Sequence, residues 1–289
     1  MTVFAELLET KKNWANSFLR NTIVVMEKQP NVKLIIAVHK ECYLPEGEIY
    51  LPLHVGAACN ECVLPYTRDD SGDNISKLNP LFCELTGLYW AWKNLDYDWL
   101  GLVHYRRFFS SKHKKSILQR EELLPLLEKY RVILPRKRHY YIETIFSHHD
   151  HTFDGTQFEK TRQIILIKYP DYIEDFDLFM KKRSAWLFNM MIMPNDLLNN
   201  YCFWLFDILF ELKEHVDISK MTAFEKRYIG RVSEYLLNVW IIHQIRLNII
   251  QRNEVMELPY MYLGKVNWWK KGTSFLKAKF FKIKYKTSF

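Results

Sequence analysis

The segment Leu100 to Phe109, LGLVHYRRFF, is a short apolar run that ends in His104, Tyr105, Arg106 and Arg107. A strand that delivers a histidine and two adjacent arginines to its carboxyl end can build an anion site. Ligands of open α/β sheets bind beyond those ends, and guanidinium forks match phosphate oxygens in pairs. The same residues also fit a plain strand end, because strand side chains alternate and one arginine then faces solvent. A second group precedes it. His39 and Lys40 close the run VKLIIAVHK, and Asp69, Asp70, Asp73, Asn74, Ser76 and Asn79 fill a polar stretch. Carboxylates and amides suit ribose hydroxyls and a base edge. They suit an ordinary Asp- and Asn-rich turn equally well, and Ser76 also fits a helix cap.

Two later groups carry proton or metal chemistry. Arg231-Val-Ser-Glu234 reads as the start of a helix. A carboxylate there is held ionised by the helix amino end, and partial desolvation makes it a general base by raising its pKa; a capping role fits the same position. His148-His149-Asp150-His151 reads as a polar loop. It could ligate a transition metal, hold an acceptor, or form a surface turn. Asp150 is the second candidate base.

These groups need a framework. VKLIIAVH is β-branched, apolar and bounded by Pro30, which predicts a first strand. Residues 44–80 read as long loops with one short strand at Ile49 to Leu51. Glu84, Leu85, Leu88, Tyr89 and Trp92 recur at helical spacing, which predicts a helix over 80–94. Strands are expected at Leu100 to His104, Val132 to Leu134 and Trp186 to Met193. Helices are expected at 121–129, 156–169, 175–182, 195–214 and 233–251, the second stopped by Pro170. Alternating strands and helices predict an α/β, Rossmann-type domain with a mostly parallel sheet. Met190 to Met193, Trp240 and His243 read as core.

The charge is uneven. Of 41 basic residues, eight lysines lie from Leu258 to Phe289 with no Asp or Glu among them. The remainder balances at 33 of each sign, for a net charge of +8. A neutral body argues against a nucleic-acid binder, which spreads cations over a folded face. The division expected is a domain over 1–257 and a basic aromatic tail over 258–289. In that tail Trp269, Leu276, Phe280 and Ile283 share one helical face, a pattern suited to an anionic membrane surface; a packed or solvated tail is the alternative. Five cysteines, an odd number, argue against a disulfide framework. The lone Cys59-Asn-Glu-Cys62 has no second pair at zinc spacing. Neither a secretory signal nor an apolar span is expected. The location expected is cytoplasmic, peripheral on the inner face of the membrane.

Asp73 to Asn94 and Leu100 to Phe109, with Lys33 to Lys40, Ile133 to Phe153, Leu187 to Pro194 and Gly230 to Ile241, together resemble a bacterial family long filed as a domain of unknown function. Its members occur in capsule, exopolysaccharide and lipopolysaccharide loci. The resemblance runs over about residues 32–245. It implies a GT-A-like glycosyltransferase, with galactofuranose from a UDP-sugar among the sugars moved. It places donor contacts at Asp73, Asn74, Ser76 and Asn79. It also sets Glu234 beside the base of inverting enzymes, and makes Asn189, after Phe188, an acceptor contact along with His148 and His151. Most GT-A enzymes hold a divalent cation, Mn or Mg, in an Asp-x-Asp motif after a strand. Here Asp96-Tyr-Asp98 precedes its strand, Asp175-Phe-Asp177 falls in a helix, and arginines stand at the expected place. The partners implied are a UDP-sugar donor and a lipid-linked glycan acceptor. A non-catalytic, membrane-docked scaffold of a polysaccharide assembly complex is the competing expectation.

Overall fold

The computed structural model describes residues 29–62, 64–111 and 116–263. The described residues from Val32 to Leu263 form one unit. In chain order its strands are β1 (Val32–Val38), β2 (Tyr50–His54), β3 (Thr67–Arg68), β4 (Trp99–His104), β5 (Arg107–Phe109), β6 (Val132–Pro135), β7 (Arg138–His139), β8 (Ser184–Ala185), β9 (Met191–Pro194), β10 (Val255–Leu258) and β11 (Tyr260–Tyr262). Its α-helices are α1 (Asn79–Phe82), α2 (Leu85–Asn94), α3 (Arg120–Leu127), α4 (Ile145–Thr152), α5 (Thr156–Lys168), α6 (Ile173–Met180), α7 (Asn195–His215) and α8 (Tyr228–Arg246).

The main sheet runs β10-β6-β9-β4-β1-β2-β3. β1 pairs in parallel with β2 and with β4, and β6 with β10. β9 runs antiparallel between β4 and β6. The result is the mixed α/β, largely parallel, Rossmann-like architecture that the strand–helix alternation predicts. β1 is central because it is apolar on both faces: Leu34, Ile35, Ile36 and Val38 are fully buried. Near-continuous apolar runs are what a sheet covered on both faces requires. Met190 to Met193, Trp240 and His243 are buried, as expected of core positions.

Four expectations are corrected. The helix over 80–94 is broken at Cys83, whose φ of 53° is left-handed, so α1 and α2 are separate pieces and Glu84 stands at their junction. The strand over Trp186 to Met193 shrinks to β9, because Phe188 and Asn189 have φ of 73° and 53°, which no strand accommodates. The helix expected from Ser233 to Gln251 starts at Tyr228 and ends at Arg246. Glu234 is therefore beyond the first turn, and the amino-end argument for its charge lapses. The polar loop expected at His148 to His151 is helical, within α4. Its cap is Thr144, whose side chain accepts the Ser147 N–H at 3.1 Å.

At the other end, Leu258 and Tyr260–Tyr262, grouped with the tail by charge, belong to the sheet: β11 pairs with β5. The remaining tail expectations fall on residues 264–289, outside the described residues. Among the described residues, no helix is long and apolar enough to cross a membrane.

Candidate active site

Two cavities open beyond the carboxyl ends of the central strands. The larger, about 740 Å³, is lined by Ala37 near the end of β1 and His39 after it, Gly56 after β2, Tyr105 and Arg106 after β4, and Asn79, Ala223 and Lys226. The smaller, about 230 Å³, is lined by Arg138, Tyr140, His148, Phe188, Glu234 and Tyr235 among others. Cys83, Glu84, His104, Arg107 and Arg227 border both. A ligand bridging the two spaces must pass this five-residue wall.

The wall is built around the turn at Phe188 and Asn189. Phe188 N–H donates to Glu234 Oε2 at 2.9 Å. Phe188 C=O accepts from His104 Nε2 at 2.5 Å. A carbonyl only accepts, so Nε2 carries the proton and Nδ1 the lone pair. Asn189 Nδ2 donates to Glu84 Oε1 at 2.7 Å and to Gly230 C=O at 3.2 Å, and Asn189 Oδ1 accepts from Ser233 Oγ at 3.1 Å. One turn further along α8, Asn238 clasps the Trp186 backbone on both sides, at 2.9 and 2.7 Å. Two consecutive left-handed non-glycine residues are costly, and this network holds them. It also delivers two carboxylates, Glu84 and Glu234, to one cavity.

The electrostatics separate the roles. Burial, reinforced by the Glu84 charge, pushes the Glu234 carboxyl up to about 7, against the pull of the Phe188 N–H, Arg107 and Arg138. Burial also lowers His104, with Arg107 and Arg227 acting the same way, so its imidazole is neutral near pH 7. His39 is lowered by burial and then by Lys40, Arg227, Arg106 and His104. His148 falls to about 4, chiefly through burial. The mouth is thus cationic through guanidinium groups and not through imidazolium. Arg107 packs over Phe188 at 4.4 Å and Tyr262 at 5.3 Å. Its Nε is buried with no hydrogen-bond partner among the described residues. A buried donor left open at a cavity wall is suited to an incoming anion.

Residues 33–245 match the model of a family described as a domain of unknown function, DUF4422. The chain belongs to this family. No curated protein matches it. Among solved structures it is similar to the apo structure of WbbM, a bifunctional glycosyltransferase, at 29% identity and a TM-score of 0.73. The match covers 81% of this chain and 46% of that one, so the chain spans about half the length of this relative.

Of the donor, acceptor and base candidates singled out by sequence, His39, Asn79, His104, Arg106, Arg107, His148 and Glu234 line the two cavities. The other candidates do not. Asp69 and Ser76 are buried and build the loop: Asp69 accepts the N–H groups of Gly56 and Ala57 at 2.8 and 3.0 Å, and Ser76 Oγ donates to Asp69 at 2.5 Å. Gly56, with φ of 71°, lies so close to Asn79 that a Cβ would stand 2.5 Å from its Cγ. Asp70 is paired with Arg68 at 2.5 Å. Asp73 accepts from the Tyr89 hydroxyl at 3.1 Å, and Asn74 caps its own turn through Gly72 and Ser76. These are the ordinary turn roles of Asp and Asn. Lys40 lies outside both walls, 5.6 Å from the Tyr105 ring.

Asn189 is 1% exposed, borders neither cavity and has both its amide hydrogens engaged, which positions Glu84. Asp150 is exposed on α4 and borders neither cavity. His151 is held by Glu143 at 2.8 Å, the carboxylate that also meets His148 at 3.2 Å. Among the described residues, no three His, Cys, Asp or Glu side chains are grouped to hold a metal ion. The wall residues that sequence reasoning missed are Cys83, Glu84 and Arg227, with Arg138 and Tyr140 in the smaller cavity. Glu84 and the Arg138–Tyr140 pair lie inside the segments that carry the family resemblance; Arg227 had no signal of its own.

Proposed function

We propose that the protein transfers a sugar, galactofuranose being the candidate the family resemblance offers, from a UDP-sugar to a glycan acceptor, with Glu234 as the base. One observation carries the reading. Glu234 is held near pH 7 in its ionisation, in a cavity whose wall continues into a larger, guanidinium-lined space at the carboxyl ends of β1 and β4. A general base works best with a pKa near the operating pH, and nucleotide ligands of open α/β sheets lie at those strand ends.

In this reading the nucleotide occupies the larger cavity and its diphosphate meets Arg106, Arg107 and Arg227. The sugar crosses the shared wall, and the acceptor hydroxyl enters the smaller cavity. Glu234 takes the hydroxyl proton, the oxygen attacks the anomeric carbon from the face opposite the leaving group, and the bond to the diphosphate breaks. The departing oxygen keeps the electron pair, and the guanidinium groups stabilise the charge that develops there. Configuration inverts.

Glu84 keeps Glu234 basic through its charge and anchors the turn through Asn189. The role assigned to metal in the Asp-x-Asp enzymes falls here to arginine. Calorimetric titration with UDP tests the nucleotide half of the proposal: wild-type protein should bind and Arg107→Ala should bind more weakly, whereas UDP binding insensitive to Arg106, Arg107 and Arg227 would place the nucleotide elsewhere.

A further inference from the structure

A second surface of the molecule has a composition that catalysis does not use. The strand β7 and the residues after it alternate sides. Arg138 and Tyr140 line the smaller cavity, while His139 and Tyr141 are exposed. This segment is knitted to the stretch before β8. Tyr140 N–H donates to Arg183 C=O at 2.8 Å, Arg183 Nη1 donates to Tyr141 C=O at 3.1 Å, and Ile145 N–H donates to Lys182 C=O at 2.8 Å.

The shared surface is cationic. Arg136, Lys181, Lys182 and Arg183 are exposed on it, with Lys137 half-buried. The Lys182 ammonium is lowered by partial desolvation and then by the charges of Lys137 and Arg252. Acids nearby have partners: Glu257 meets Lys137 at 3.6 Å, Glu143 meets His148 and His151, Asp175 is buried against His243 and Arg246, and Asp177, close to Lys181, is held by Arg162 at 2.7 Å.

Out of this surface project Tyr141, 80% exposed, and Ile142, 58% exposed. Tyr141 has φ of 55°, an unfavourable region for a bulky residue. Ile142 N–H donates to Tyr140 C=O at 2.6 Å and closes the backbone tightly around it. The chain thus accepts local strain to hold a tyrosine and an isoleucine in water, which points to a partner.

We propose that this surface docks the protein on an anionic lipid bilayer, with Tyr141 and Ile142 entering the headgroup layer and the surrounding lysines and arginines meeting lipid phosphates. Tyrosine suits an interface that is apolar on one side and wet on the other, and basic residues around it draw the surface to anionic lipid. A soluble polyanion would use the cations and leave Ile142 idle. The segment that carries the tip also carries Arg138 and Tyr140, on its opposite side, into the cavity with Glu234, so the docked segment forms one wall of that cavity. The surface is built from described residues alone, and the proposal holds whether or not the glycosyl-transfer reading does.

Sedimentation with vesicles tests it, using the full-length chain at low salt. Vesicles of phosphatidylglycerol in phosphatidylcholine are compared with phosphatidylcholine alone. Each engaged cation contributes about fivefold in partitioning. The double variant Tyr141→Ser with Ile142→Ser keeps every charge and should lower partitioning to the anionic vesicles about tenfold. Lys181→Glu with Lys182→Glu keeps the tip and should lower it by about 25-fold or more. Neither pair is buried, and unchanged circular dichroism melts check the fold. Wild-type partitioning in both variants would overturn the proposal and assign docking to the rest of the chain. Loss in the charge variant alone would also overturn it, because the surface would then be a binder of soluble polyanions. No UDP-sugar enters the assay, so its outcome is independent of transfer activity.

Discussion

The Phe188 N–H and the Glu234 carboxylate are joined at 2.9 Å, and the peptide that donates is in a left-handed conformation, φ 73°. The Glu234 carboxyl is therefore fixed by a backbone turn that α8, His104 and Glu84 hold in place. Strain of this kind costs about 1–3 kcal/mol and survives only where the surroundings over-determine it. Its position under the shared wall of two cavities makes it part of the site.

Asn189 tests that support. Its amide links Glu84, Gly230 and Ser233. Asn189→Ala should destabilise the protein by about 1–3 kcal/mol, the usual cost of stranding buried partners, and should lower turnover with UDP affinity nearly unchanged. Denaturant unfolding and calorimetry separate the two effects. Full stability together with full turnover would show that the turn holds itself.

Glu234 has a stability signature as well as a kinetic one. Its folded pKa of about 7 lies above the ordinary glutamate value of 4.5. Between those values the folded state keeps a proton that the unfolded chain has released, so this group's contribution falls as pH rises from about 4.5 through 7. Glu234→Gln removes that penalty and can still accept the Phe188 N–H. Its melting temperature relative to wild type should therefore be higher at pH 8 than at pH 5. An equal difference at both values would mean that the carboxyl titrates normally.

The arginines divide by burial. Arg107 borders both cavities, whereas Arg106 is exposed and borders only the larger. Arg107→Ala should weaken UDP binding by about 1.5–3 kcal/mol, the range for charged hydrogen bonds, and Arg106→Ala by less. The reverse order would move the diphosphate toward the outer rim.

If guanidinium groups carry the diphosphate charge, UDP-sugar turnover should survive EDTA. Complete loss with chelator, restored by Mn²⁺ or Mg²⁺, would return the charge to a metal and open the search for its ligands at Glu84 and the Asp69 to Asn79 loop.

The sheet was legible because its strands are apolar and β-branched, and His104, Arg106 and Arg107 were legible because a strand ended on them. Glu84 was not. Its helical spacing with Leu85 and Leu88 disguised it as a surface position, and only the left-handed Cys83 turns it into the cavity. The Phe188–Asn189 turn was hidden for the same reason, since an apolar run reads as a strand until its backbone angles are known. Ser76 and Asp73 drew attention through residue type and the family resemblance, and in the structure both make turn contacts. Glu234 was singled out by the resemblance and by an expected desolvation, and burial does raise its pKa; the helix end invoked for its charge is a turn and more away.

The central claim is that Glu234 is the base for cleavage of a UDP-sugar, and the release of UDP measured against pH tests it most directly. Water serves as acceptor, so no glycan need be known. The full-length protein, offered a panel of UDP-sugars, should release UDP from at least one, with a rate that rises with pH and levels off above about 7. Glu234→Gln should be slower by about 10²–10⁴, without that rise, while binding UDP normally. UDP release that is absent from every donor, or equal in wild type and Glu234→Gln at all pH values, would contradict the account.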